Sequence, residues 1–376
     1  MRQIYARSVA AAGAIALMAT APAAAQQGEI DNTQFGTTSA EFLLLGAGAR
    51  GAALGGSFSA VANDVTALYW NPGGLAMMER PGVHFSHMTY VADTRYTWVG
   101  LAIPLSGGQR AIGIHGATFG FSDQPVYTVE NPEGDGTTYG VSESYFGLTF
   151  SQNFSDRFSA GITGKFINDQ LGDTDGQAFA VDFGTNFHAA INDRPIRAAF
   201  TISNLGTNLQ HDGAALSAAV TRTPPQDQQD VPQEGAAAEL ATKDFGLPVL
   251  FRVGVAYDFI SSANNRLTVM SEFNQPNNNN ATAGGAFEWA FLNLGNTGFE
   301  VAARGGYTYQ PDNDLAPNAN RAGFASSLNS DENLDGLSLG GGLGYRRGTF
   351  GFFVDYAYRD LGLLGGTNFF SATIQW

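Results

Sequence analysis

Five histidines, one glycine-rich run and a surplus of carboxylates are the residues of this 376-residue chain that could carry chemistry. His84, His87, His115, His188 and His211 are scattered. Only His84 and His87 are near neighbours, and their odd spacing on a strand sends them to opposite faces. No metal site is therefore expected. Cysteine is absent, which excludes thiolate ligands, cysteine nucleophiles and disulfide scaffolds. No Ser/His/Asp grouping stands out, so the chain reads as a non-enzyme without catalytic residues or cofactor. Gly46, Gly48 and Gly51 match GxGxxG after an apolar stretch. That fingerprint needs a βαβ unit and an acid about twenty residues on. The chain downstream is patterned as antiparallel strands, so the dinucleotide reading fails.

The net charge is −15, from 19 basic and 34 acidic residues. This argues against nucleic acid as a partner, because phosphate binding needs clustered Lys and Arg. The stretches 122–141, 205–248 and 311–336 hold 15 acids and three basic residues, so the acidic excess is mostly theirs. Solvated loops explain this most simply. Calcium bridging would suit Asp and Asn, but no EF-hand spacing is present.

The elements that position these residues follow from composition and period. Only 14% of residues are charged, against about 25% in soluble domains. Glycine (48) and phenylalanine (28) are abundant. Arg2 and Arg7, the apolar run 9–20 and the small residues Ala23-Ala24-Ala25 predict a signal peptide over 1–25. A membrane anchor would need about 20 apolar residues, and Pro22 ends this run short. No apolar block follows it. A membrane protein of this kind must be a closed barrel, because only helices and barrels satisfy every backbone group in lipid.

From residue 82 onward, segments of some ten residues alternate in hydrophobicity between Gly/Asn/Asp/Pro-rich breaks. In 368–376, Phe370, Ile374 and Trp376 share one face, while Ser371 and Thr373 share the other. Fourteen such segments start near Gly82, Tyr96, Arg110, Ser142, Phe158, Gln177, Ile196, Val249, Arg266, Ala281, Phe299, Leu337, Thr349 and Asn368. Every second break is short, and the three long ones all fall on the other parity. Outer-membrane barrels have short turns at one end and long loops at the other. A secreted β-sandwich or propeller also has many short strands. No blade motif repeats here, however, and Phe370, Ile374 and Trp376 form the aromatic terminal strand that serves outer-membrane proteins as an assembly signal. The predicted fold is thus an all-β transmembrane antiparallel barrel of about 14 strands over 82–376, preceded by a distinct segment over 26–81.

That segment carries a family resemblance. It contains Gly48-Ala49-Arg50, the pair Gly55-Gly56, Asn63-Asp64-Val65, and Ala67-Leu68-Tyr69-Trp70-Asn71-Pro72-Gly73-Gly74-Leu75-Ala76. This resembles the N-terminal signature of PorV/PorQ proteins, a branch of the FadL-type outer-membrane barrels. The motif covers about a tenth of the chain. Asn63 stands where the pattern usually has an acid, and Gly73 where it usually has Ala, which loosens the turn after Asn71-Pro72. The resemblance implies a small hatch entering the barrel lumen from the periplasmic side. Its motif residues are Gly48, Arg50, Gly55, Gly56, Asp64, Tyr69, Trp70, Asn71, Pro72, Gly73, Gly74 and Leu75. Arg50 and Asp64 are its only charges between Glu41 and Glu79. They either anchor it to lumen charges such as Arg252, Asp258, Glu300, Arg304 and Asp355, or pair with each other.

Two functions follow from the resemblance. One is a component of type IX protein secretion and surface attachment, with secreted cargo proteins as partners. The other is a FadL-like passive channel for fatty acids or other hydrophobic small molecules. The second needs a lateral opening near the third strand, where Gly113, Gly116 and Gly120 mark candidate breaks in pairing. Either places the chain in a Gram-negative-type outer membrane, among its lipid and lipopolysaccharide and dependent on the barrel assembly machinery.

Overall fold

The computed structural model describes residues 36–129, 131–134, 136–222, 233–310 and 336–376. The signal-peptide assignment, residues 26–35 of the N-terminal segment and nearly all of the acidic stretch 311–336 lie outside the described residues.

The strands are β1 (Gly82–Thr89), β2 (Arg95–Leu105), β3 (Arg110–Pro125), β4 (Thr138–Ser155), β5 (Phe158–Leu171), β6 (Thr174–Ile191) and β7 (Arg194–Gly206). Then come three loop strands, β8 (His211–Gly213), β9 (Ser217–Arg222) and β10 (Gln233–Glu239). The series resumes with β11 (Leu250–Ser261), β12 (Asn265–Pro276), β13 (Thr282–Leu294), β14 (Phe299–Tyr309), β15 (Leu337–Arg347), β16 (Phe350–Asp360) and β17 (Gly366–Gln375). Fourteen of these, β1–β7 and β11–β17, pair antiparallel with their neighbours. β1 against β17 joins the two ends of the series, in register from Gly82↔Gln375 to Thr89↔Asn368. The barrel is therefore closed, and every predicted strand start lies within four residues of the observed one. β8 adds to the edge of β6, and β9 pairs only with β10.

Alternation decides which way each residue points. On β6, Phe179, Val181, Phe183 and Phe187 are exposed, while Ala178, Ala180, Asp182 and Asn186 are buried. On β17, Phe370 and Ile374 face out, while Phe369, Ser371 and Thr373 face in. A period of two gives one apolar outer face and one small or polar inner face. The connections at one end are the short turns. The long stretches 126–137, 207–249 and 310–336 join strands at the other, hereafter the loop end.

The lumen is filled by residues 40–78. Phe42, Leu43, Leu54, Phe58, Val65, Leu68 and Leu75 are nearly inaccessible. The described part of this segment starts at the loop end, where Ser39 N–H donates to Gly246 O at 3.0 Å. It leaves at the turn end, where Arg80 Nη1 donates to Gly348 O at 2.9 Å. The resemblance implied entry from one end. The segment instead runs through the whole lumen, because its first described residues are tied to the connection between β7 and β11.

Close seating explains part of the glycine excess. A Cβ added at Gly184 would lie 2.3 Å from Asn71 Oδ1, and one at Gly161 would lie 2.4 Å from Pro72 O. Wall glycines let the Asn71-Pro72 turn rest on backbone where any side chain would lift it off.

Candidate functional site

Arg50 sits on a one-turn helix, Ala49–Ala53, that follows Gly48 at φ 76°. The turn aims its side chain at the wall formed by β12, β13, β14 and β16. Arg50 Nε and Nη2 donate to Glu288 Oε2 and Oε1 at 2.7 and 2.9 Å. Its Nη1 donates to Asp64 Oδ2 at 2.8 Å. Both readings of the two charges hold at once: Arg50 pairs with Asp64 and anchors to the wall. Glu288 is the hub. It also accepts from Arg304 Nε at 2.7 Å and meets Arg266 Nη2 at 3.4 Å. Arg304 continues to Asp355 at 2.7 Å. Arg304 and Asp355 were foreseen as lumen charges near the segment, but they reach it through Glu288. The guanidinium of Arg50 also lies over the Phe58 ring, 5.0 Å from its centre.

Electrostatics reinforces the joint. Burial by itself would lower the Arg50 pKa, but Glu288 and Asp64 together raise it above its ordinary value. Burial would raise Asp64, but Arg50 and the hydrogen bond from Thr66 hold its carboxyl below the usual range. Two carboxylates gripping one guanidinium in fixed geometry are charge-assisted hydrogen bonds, the stronger kind.

A second attachment involves Glu272 on β12. Its Oε2 accepts from Ser59 N–H at 2.8 Å and Ser59 Oγ at 2.6 Å. Arg252 lies 3.9 Å from Glu272, and its guanidinium stands 5.4 Å from the Trp70 ring centre and 5.6 Å from that of Tyr69. The two aromatics of the motif thus lie against a wall cation, while Tyr69 OH donates to Leu43 O and Trp70 Nε1 to Ala47 O. Asn71 forms the third attachment. Its Nδ2 donates to Ser59 O at 2.9 Å and to Thr185 O on β6 at 3.1 Å, and its Oδ1 accepts from Gly73 N–H at 3.0 Å. Gly55 O accepts from Thr308 Oγ1 at 2.8 Å, and Gly73 O from Ser159 Oγ at 2.7 Å. Pro72, Gly74 and Leu75 complete the buried turn that follows Asn71, and Gly56 is half-buried. Ser59 and Glu272 were not singled out from sequence. A serine in a small-residue run gives no signal of its own.

Other lumen charges are paired elsewhere. Asp258 takes Arg197, Glu300 takes Arg346 at 3.1 Å, and Lys165 lies 2.6 Å from Asp182. Gly51 lies beneath the Trp70 ring, 2.7 Å from where its Cβ would be, and no βαβ unit surrounds it. Among the described residues, no three His, Asp or Glu side chains have metal-holding geometry.

The three glycines proposed for a lateral opening stand in an intact wall. Pairing of β3 with β2 runs unbroken from Arg110 to Gly120, and with β4 from Arg110 to Phe121. Gly113 faces inward, and a Cβ there would lie 2.5 Å from Leu68 Cδ2 of the lumen segment. Gly116 faces outward. Gly120 lies just before the first register shift, between Phe121 and Gln124. Two cavities flank the filled region. One of about 760 Å³ lies at the turn end, lined by Met77, Glu79, Gln109, Asn153 and His188 among others. One of about 240 Å³ lies at the loop end, between Tyr90–Asp93 and Leu361–Thr367. Phe370, Ile374 and Trp376 are exposed on the outer face of β17, and Trp376 N–H donates to Pro81 O at 3.2 Å.

Fourteen antiparallel strands closed around an N-terminal segment are the frame on which these joints are built. Residues 14–162 match an uncharacterised protein family, UPF0164. No curated protein sequence matches the chain. Among solved structures, the CymD monoaromatic hydrocarbon channel has a TM-score of 0.54 at 13% identity, covering 88% of this chain and 97% of that one. The Pseudomonas putida toluene transporter TodX gives 0.52 at 11% identity, with coverage of 88% and 97%. The likeness is one of fold.

Proposed function

We propose that this chain is an outer-membrane channel for small hydrophobic molecules, closed in the conformation described and opened by displacement of its N-terminal hatch. The observation that carries the reading is a closed fourteen-strand barrel whose lumen is filled by one segment held at a few polar joints. The turn end is then periplasmic, the loop end extracellular, and the exposed phenylalanines lie in lipid. The similar structures are a hydrocarbon channel and a toluene transporter, which supports hydrophobic molecules as the cargo. The unbroken wall at Gly113–Gly120 makes hatch movement the step that must create a path.

The chain has no cysteine, so a cross-link can be placed cleanly. Ser57 Oγ lies 2.5 Å from the position of a Cβ at Gly284, close enough for a bridge whose Cβ atoms need about 3.8 Å. Cells carrying S57C/G284C should lose uptake of labelled toluene under oxidation and regain it with dithiothreitol. Equal uptake in both states would overturn hatch-gated passage.

A second reading rests on the same sealed wall. A barrel that passes nothing through its side suits the role implied by the motif resemblance, a type IX secretion component that handles cargo at its loop end. A deletion strain that still exports and anchors its type IX cargo would end that reading.

A further inference from the structure

The loop end of the lumen holds two carboxylates that the hatch joints do not use. Glu143 of β4 and Asp169 of β5 are directly opposed register partners. Alternation turns both inward, above the buried Tyr145 and Ile167. Asp169 is 3% exposed. Its Oδ1 and Glu143 Oε2 are both buried without a hydrogen-bond partner. Its Oδ2 lies 3.3 Å from His211 Nε2. His211 opens β8, the short loop strand that folds back onto the rim and pairs with β6 through Gly176↔His211 and Thr174↔Gly213.

The surroundings supply little to neutralise the pair. Glu41, at the start of the hatch, adds a negative neighbour, while accepting hydrogen bonds from Thr38 and Asn278. On the flanking strands, the partners are Phe119 opposite Glu143 and Gly176 opposite Asp169. Lys165, four residues before Asp169, is taken by Asp182 at 2.6 Å. Among the described residues, His211 is the basic group that reaches the pair. Two carboxylates facing each other in a largely desolvated place do not both ionise; they hold a proton between them. His211 Nε2 faces the charge that remains, 3.3 Å from Asp169 Oδ2.

We propose that Glu143, Asp169 and His211 form a proton-operated latch that holds β8 on the extracellular rim. The sign follows from the geometry. With β8 in place the opposed pair is shielded from water and keeps its proton, whereas with β8 lifted water reaches both carboxylates and favours their ionised forms. Closure is therefore coupled to proton uptake, and it weakens as pH rises. The latch is closed on the mildly acidic side and released on the alkaline side.

Spin labels at D212C on β8 and Q170C on β5 report the latch in the full-length barrel in detergent micelles. Asp212 and Gln170 both pair with Asp175, from either side, so the labels begin two strands apart. At pH 5.5 a single short distance is expected, and a longer population should grow on titration to pH 9. Adding E143Q, which removes one of the opposed charges, should keep the short distance throughout. The heat-modifiable gel shift of each variant checks that the barrel is folded. A distance independent of pH in the labelled parent, or the same profile with E143Q, would overturn the latch. So would a distance governed by calcium and chelator but not by pH, which would make the pair a cation site.

Discussion

Arg50 and Glu288 lie 238 positions apart and meet through two parallel hydrogen bonds of 2.7 and 2.9 Å. This joint ties the hatch to the wall. Breaking it from either side has different consequences. R50A leaves Glu288 with Arg304 and Arg266, and Asp64 with Thr66 alone. E288A removes the group that three arginines share, leaving Arg50 with Asp64 and Arg304 with Asp355. Removing one member of a buried pair costs about 3–5 kcal/mol. Both variants should expose the hatch to protease in folded barrels, E288A more than R50A. R50K should not restore protection, since an ammonium cannot make the two-pronged contact.

The same joint is sensitive to acid. Asp64 is held below its ordinary pKa by Arg50 and Thr66, against the opposing effect of burial. A carboxyl with a depressed folded pKa contributes stability above its unfolded value, near about 3.9, and loses it as pH falls through the folded value. Hatch protection should be constant from neutral pH down to the ordinary carboxylate range, and should fall only below it. In D64N that acid-dependent part should be missing. Hydrogen exchange of residues 46–66, corrected for intrinsic rates, is the measurement.

Two glycines allow a controlled packing test. G184A would bring a methyl to 2.3 Å from Asn71 Oδ1, while a Cβ at Gly164 meets nothing within 4 Å. Overpacking costs about 1–3 kcal/mol. G184A should lower the unfolding midpoint and loosen the Asn71-Pro72 turn. G164A should match the parent in the same denaturant titration.

Asn71 distinguishes shape from hydrogen bonding. N71D keeps the volume but cannot donate to Ser59 O and Thr185 O, and it would set a charge against two carbonyls in a buried place. An unsatisfied buried group costs about 1–3 kcal/mol, more when charged. N71D should be less stable than N71A in urea unfolding, although aspartate is the closer shape.

The terminal strand predicts an assembly phenotype. Phe370, Ile374 and Trp376 face outward and take no part in the hatch joints. F370A/W376A should reduce the yield of folded barrel in the outer membrane. The fraction that folds should unfold at nearly the parent midpoint. A proportional loss of stability in that purified fraction would make these residues structural.

Much of the barrel was legible because its signals are local. Phe179, Val181 and Phe183 alternate with Ala180 and Asp182 whatever lies elsewhere in the chain. Counting the alternating segments gave fourteen strands, and turn parity checked that count without any pairing information. The motif marked Arg50, Asp64, Trp70 and Asn71 as the residues of the lumen segment. Ser59 and Glu272 escaped notice because neither is unusual in its own stretch. Glu143 and Asp169 escaped because each looks like an ordinary rim charge until β4 and β5 are set in register.

Local period and turn chemistry thus determined, from the sequence by itself, a closed fourteen-strand barrel, the face each residue presents and the segment that stands apart. The tertiary structure decided that this segment crosses the lumen from end to end, that Glu288 and not Asp355 takes Arg50 directly, that the wall is continuous at Gly116, and that two carboxylates meet at the rim. The physical reason is closure. A period of two assigns faces strand by strand, whereas which inward residues share a level depends on the register summed around all fourteen strands.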